Sequence, residues 1–98
     1  MADWEQGACW EMTISREEFL RILPGAVGGT RYCAGGTLIE HEGPGCGWRI
    51  ELAQMPELRI GLLALARHRV TIAFKGCSAA DRAAFLARFE LHFRRGGG

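Results

Sequence analysis

Ala8, Trp10, Met12 and Ile14 alternate with Cys9, Glu11 and Thr13, the period-two pattern of a strand with one buried face. Ser15-Arg-Glu-Glu18 follows as a capping box, in which the Ser15 hydroxyl accepts from the Glu18 N–H and the Glu18 carboxylate returns to the Ser15 N–H. Ile14 and Phe19 occupy the staple positions of this first helix. Phe19, Leu20, Ile22 and Leu23 form its apolar face, and Pro24-Gly25 is expected to stop it. Two short strands, Thr30–Ala34 and Thr37–Glu42, then meet at Gly35-Gly36, a dipeptide suited to hairpin geometry.

The turn-rich run Gly43-Pro44-Gly45-Cys46-Gly47 separates these from another alternating segment, in which Trp48, Ile50 and Leu52 oppose Arg49, Glu51 and Ala53. The stretch from Pro56 to Arg69 has the poorest periodicity. A strand over Leu58–Leu63, a turn over Ala64–Arg67 and a strand over His68–Lys75 fit best, with a helix opening at Pro56 as the alternative. Val70, Ile72 and Phe74 mark the buried side of the last strand. Ser78-Ala-Ala-Asp81 caps a long second helix, Ser78–Arg95, whose Phe85, Leu86, Phe89 and Phe93 share one stripe. Arg94 and Arg95 suit its negative end, and Gly96 suits a left-handed stop.

The resulting order, β-α-β-β-β-β-β-α, predicts an α+β fold of the two-layer sandwich type. It would have an antiparallel sheet of about four to six strands, two helices, and the long C-terminal helix packed on the sheet. With 98 residues, 48% apolar and 23% charged, the chain suits one ordinary globular domain, placed at 1–95 with a flexible glycine tail at 96–98. Met1 to Met12 has no apolar signal core, and Ile60–Ala66 is far short of the roughly 20 residues a membrane span needs. A cytoplasmic location and no membrane partner are therefore expected, and with them four free thiols at Cys9, Cys33, Cys46 and Cys77. Eleven of the twelve basic residues are Arg, a usage that suits a GC-rich coding sequence of bacterial type.

The net charge of +1 is unevenly distributed. Four Arg against nine acids up to Leu58 give about −5, and eight basic residues against Asp81 and Glu90 beyond it give about +6. Either the acidic and basic elements pair side by side, or a basic face attracts an anion or a protein. Arg67, His68 and Arg69 in one cluster, with Arg94 and Arg95 at the helix end, are the candidate binding residues of such a face. Tyr32, Trp10 and Trp48 could stack on bases, but no nucleic-acid motif accompanies them, so a nucleic acid is an unsupported partner.

No phosphate loop, nucleophile elbow or zinc-protease pair occurs, so the chain offers no catalytic constellation and no cofactor is expected. Cys33, His41 and Cys46 are the best candidate metal ligands, although their spacing matches no closed zinc pattern. Cys77, just before a helix start, could have its thiol activated by the dipole. The terminal Phe93-Arg-Arg-Gly-Gly-Gly98 resembles the diglycine tail of ubiquitin-like and sulfur-carrier proteins, and implies a carboxylate activated by adenylation. Those tails follow a strand of a β-grasp domain, whereas here the tail follows a helix. The leading expectation is a non-catalytic binding or interaction module. The alternatives are a carrier of a small apolar ligand, with its cavity between sheet and final helix, and a metal or diglycine carrier.

Overall fold

The computed structural model describes residues 4–97, with side chains as far as Arg94. Its elements are β1 (Glu5–Met12), α1 (Arg16–Ala26), β2 (Cys33–Gly35), β3 (Leu38–His41), β4 (Gly47–Ile60), β5 (Leu63–Lys75) and α2 (Ala79–Gly97). All five strands form one antiparallel sheet in the order β1-β5-β4-β3-β2. The two helices lie together on one face of it, which is the expected α+β two-layer arrangement. No helix among the described residues is long and apolar enough to cross a membrane.

Period-two alternation decides the inner face. Trp10 and Met12 of β1, Ile39 of β3, Trp48, Ile50 and Leu52 of β4, and Val70, Ile72 and Phe74 of β5 all point toward the helices. Phe19, Leu23 and Ala26 of α1 and Phe89 and Phe93 of α2 close over them. Phe19, Phe74 and Phe89 are at most 1% exposed, so the space under α2 is filled by side chains. Phe19 stacks on Phe93 at 4.7 Å between ring centroids, and Phe89 on Trp10 at 5.4 Å.

Both helix starts follow their sequence signals. The Ser15 hydroxyl accepts from the Glu18 N–H at 3.1 Å, but the Glu18 carboxylate turns to the Arg21 guanidinium instead of returning to Ser15. At α2 the box is reciprocal: Asp81 N–H donates to the Ser78 hydroxyl at 3.0 Å, and Ser78 N–H to the Asp81 carboxylate at 3.4 Å.

Several local expectations need correction. The first helix does not stop at Pro24-Gly25. It runs on to Ala26, because another turn buries Ala26 and Val27, while Pro24 sits on the solvent side. Its actual stop is a Schellman motif: Gly29 N–H donates to the Pro24 carbonyl and Gly28 N–H to the Gly25 carbonyl, with Gly28 at φ 66°. The positive φ is what favours glycine at this position; the tip of the Arg88 side chain also lies beside it. The small hairpin turns at Gly36-Thr37, one residue later than Gly35-Gly36, with Gly36 at φ 59° supplying a first turn position that a side chain resists.

The third correction is the largest. The segments 48–53 and 58–63 are not separate strands. They are one 14-residue strand, β4, that turns at Gly61-Leu62 into the 13-residue β5, so the sheet has five strands. Ala64–Arg67, expected as a turn, belongs to β5. A β-bulge joins the two segments: Met55 pairs with Arg67 and Leu58 with Leu65, leaving Pro56 and Glu57 opposite Ala66. The extra residue breaks the sequence period where Pro56 suggested an interruption. Gly61, at φ 61°, makes the two-residue turn.

The fourth concerns sulfur. Cys46 and Cys77 are joined in a disulfide, against the expectation of four free thiols, while Cys9 and Cys33 are free and exposed. The hairpin explains the pairing: Gly47 and Lys75 are cross-strand partners at its base, and just outside them, one residue before Gly47 and two after Lys75, the Cα atoms of Cys46 and Cys77 are 4.4 Å apart. A separation of 31 in sequence hides that proximity. At the other end of the chain, α2 carries on through Gly96, read as its stop, to Gly97.

Candidate functional site

The three residues of the Arg67-His68-Arg69 cluster do not share a face. His68 points toward the helices, is 9% exposed, and makes a 2.8 Å hydrogen bond through Nδ1–H to the Ile14 carbonyl. Arg67 and Arg69 point to the uncovered face, where both reach the Glu11 carboxylate, at 3.4 and 3.5 Å. Arg94 pairs with Glu90 one helical turn back at 3.1 Å; the side chain of Arg95 and all of Gly98 lie outside the described residues.

The division of charge along the chain resolves into pairs across the fold. Arg67 and Arg69 meet Glu11, Lys75 meets Glu42 at 3.5 Å, and Arg82 meets Glu5 at 3.3 Å, each a basic residue of the second half beside an acid of the first. On the same open face Arg49 binds Glu40 at 2.6 Å and lies under the Trp4 ring at 4.3 Å. Such exposed pairs are worth at most about 1 kcal/mol each. Their consequence here is that the open face is charge-compensated, not a basic field.

The candidate metal ligands are not brought into a usable set. Cys46 is held in the disulfide, the His41 Nδ1–H donates to the Arg31 carbonyl at 2.7 Å, and Cys33 is exposed on the edge strand β2. No group of three or more His, Cys, Asp or Glu among the described residues could hold a metal ion. The disulfide likewise removes Cys77 as a nucleophile. Beside it a groove of about 540 Å³ runs past His41, Trp48, Asp81 and Arg88. It is wide, and its lining is mixed, with Val27, Trp48 and Phe85 beside the polar groups.

A second groove, of about 280 Å³, lies between β1 and α2 at Trp10, Met12, Phe89 and Phe93. It is an edge feature of a filled core, just below the roughly 300–1,000 Å³ typical of ligand pockets. Phe89 and Phe93 are packed into the core and border this groove, and Phe85 borders the larger one.

The feature that sequence reasoning missed is the far end of the β4–β5 hairpin. Beyond Leu52 and His68 the helix layer ends. From Met55 to Arg67 the two strands continue as an arm with no third strand on either side: β1 reaches only as far as His68, and β3 only as far as Glu51. The molecule is accordingly 47 Å long against 27 and 20 Å in its other directions.

The bulge sets what the arm displays. By inserting one residue it keeps Leu58 and Ile60 on the same face as their partners Leu65 and Leu63, the face that also carries Met55 and, further down, Arg67 and Arg69. Without it, strict alternation would turn Leu58 and Ile60 to the other side. Ile60 is 57% exposed, Leu63 62%, and Leu62 at the tip stands entirely in solvent. The signal was visible as a dense apolar run around Gly61, but a run alone does not say which side its residues face.

No family model matches the chain, and neither does any curated protein or solved structure.

Proposed function

We propose that the protein is a non-catalytic interaction module whose contact element is the β4–β5 arm. One observation carries the reading: a two-stranded projection places Met55, Leu58, Ile60, Leu63 and Leu65 on one face and Leu62 at its tip, in water. An isolated two-stranded hairpin is marginal in water, and a contiguous apolar patch of this kind is the usual mark of a protein contact. The compensated charges of Arg67, Arg69 and Arg94 turn the reading away from an anionic ligand and toward a protein. The helix-covered part of the fold, including 4–52 and 68–94, would be the rigid mount for the arm.

A photo-reactive side chain placed at Leu62 in the full-length protein, expressed in its host, tests this. A discrete protein adduct that disappears when Leu58 and Leu63 are both changed to Ser is the expected result. Failure to form any protein adduct, with the fold intact by circular dichroism, would show that the arm contacts nothing.

A further inference from the structure

The occupant of the arm can be named from its own chemistry: we infer that a second copy of this chain packs against it, apolar face to apolar face, in a two-fold dimer. This rests on reading the arm as a contact element and adds the identity of its partner.

Self-complementarity is the first support. A two-fold contact brings a surface against itself, so any net charge on it is repelled by its own copy. The segment from Ile60 to Ala66 has no charged residue. The bulge turns Arg59, the partner of Ala64, to the opposite face from Ile60 and Leu63. The strip is thus neutral over its working length. It is bounded at its inner end by Arg67 and Arg69, which share the single Glu11 carboxylate and so leave one positive charge there, away from the neutral tip. When two arms lie antiparallel, each neutral tip meets the other's inner cluster and no like charges are forced together.

Area is the second. Leu58, Ile60, Leu62 and Leu63 expose 38, 57, 106 and 62% of their surfaces. With Met55, Leu65 and the flanking backbone this puts at most roughly 600 Å² per chain in play, so two copies approach the about 1,200 Å² at which specific interfaces begin, the range of a weak, reversible contact. The contact is also sheet on sheet, with side chains alternating at matched spacing, which packs about 10 Å apart in ordinary β-sandwiches.

Edge pairing is the competing geometry for two copies. It is blocked along the β4 side of the arm, where Pro56 lacks an N–H and the bulge disrupts the ladder. The β5 side, Leu63–Arg67, has neither device. Face packing is favoured because it alone removes Leu58 and Ile60 from water.

Sedimentation of the full-length protein from 1 to 200 µM, on the order of the affinities expected for a small interface, is the test. The expected result is a reversible dimer. Ile60→Lys and Leu63→Lys together should raise its dissociation constant by at least about a hundredfold, whereas Ala64→Lys, on the opposite face, should change it less than about threefold. All three positions are exposed, and circular dichroism confirms that each variant is folded. A wild-type monomer over the whole range, or a dimer that ignores the paired charges, overturns the second-copy assignment. The photo-adduct at Leu62 separates the two readings: an adduct with a different protein from a monomeric chain removes the dimer and leaves the contact element, while a monomer with no adduct removes both.

Discussion

The same two strands live in two environments, and the contrast between them explains most of what this molecule can do. From Gly47 to Leu52 and from His68 to Lys75 the hairpin is flanked by β3 and β1, covered by both helices and tied at its base by Cys46–Cys77. From Met55 to Arg67 the same ladder continues with no flanking strand. Ile50, Val70 and Ile72 in the first region are completely buried, whereas Ile60 and Leu63 in the second are more than half exposed. Residue type does not separate them. What differs is the face: Ile50, Val70 and Ile72 lie on the side the helices cover and stabilise the fold, whereas the bulge puts the arm's apolar residues on the open side with Arg67 and Arg69, where no layer of the fold stands opposite and they are left for contact.

The sharpest way to break the comparison is at the base. Phe89→Ala removes a fully buried ring that contacts Trp10, Phe19, Phe85 and Phe93, and should cost about 3–5 kcal/mol by urea unfolding. A cost under about 1 kcal/mol would mean that the helix layer is not closed as described. Replacing both Cys46 and Cys77 by Ser opens a loop of 31 residues and should cost about 2–4 kcal/mol, again by urea unfolding. Leu62 and its neighbours should retain their exchange rates in that variant, since the bond closes the opposite end of the hairpin.

Smaller effects refine the boundary. Ser78→Ala removes the acceptor for the Asp81 N–H and should lower stability by about 1 kcal/mol. Leu62→Ser should change the stability of the monomer by less than about 0.5 kcal/mol, because nothing in the chain packs on that side chain. In dilute monomer, amide exchange should be fast over Met55–Arg67 and slow over Ile50–Leu52 and Val70–Phe74. Equal protection along both halves would erase the distinction.

Elements with a strong local signal were legible in the chain itself. Alternation in Ala8–Met12 and Val70–Phe74 gave strand and facing together, although β1 ends at Met12 and not at Ile14 as the pattern suggested, and Ser15 and Ser78 marked both helix starts. Legibility failed where a tertiary partner overrode a local cue. Pro24 lacks an N–H to continue α1, yet burying Ala26 and Val27 carries the helix past it. Pro56 interrupted the period of β4, and pairing with β5 absorbed the interruption as a bulge. The candidate binding cluster shows the same limit: Arg67, His68 and Arg69 are adjacent in sequence, but the pleat separates His68 from its neighbours and a distant strand supplies Glu11 to both arginines.

By itself the sequence determined the class of fold, the N-terminal caps of both helices and the identity of the core stripe, because each depends on residues within a few positions of one another. Tertiary structure alone decided three things: that Cys46 meets Cys77, that the opposed charges of the two halves neutralise each other, and that Leu58, Ile60, Leu63 and Leu65 share a face with nothing above it. The first and third turn on strand register across the β4–β5 hairpin, and the second on the docking of β1, which sets Glu11 opposite Arg69 and Glu5 beside Arg82. Register is a long-range quantity, fixed by the burial of Ile50, Leu52, Val70 and Ile72 under the helices, and no local pattern in the arm records it.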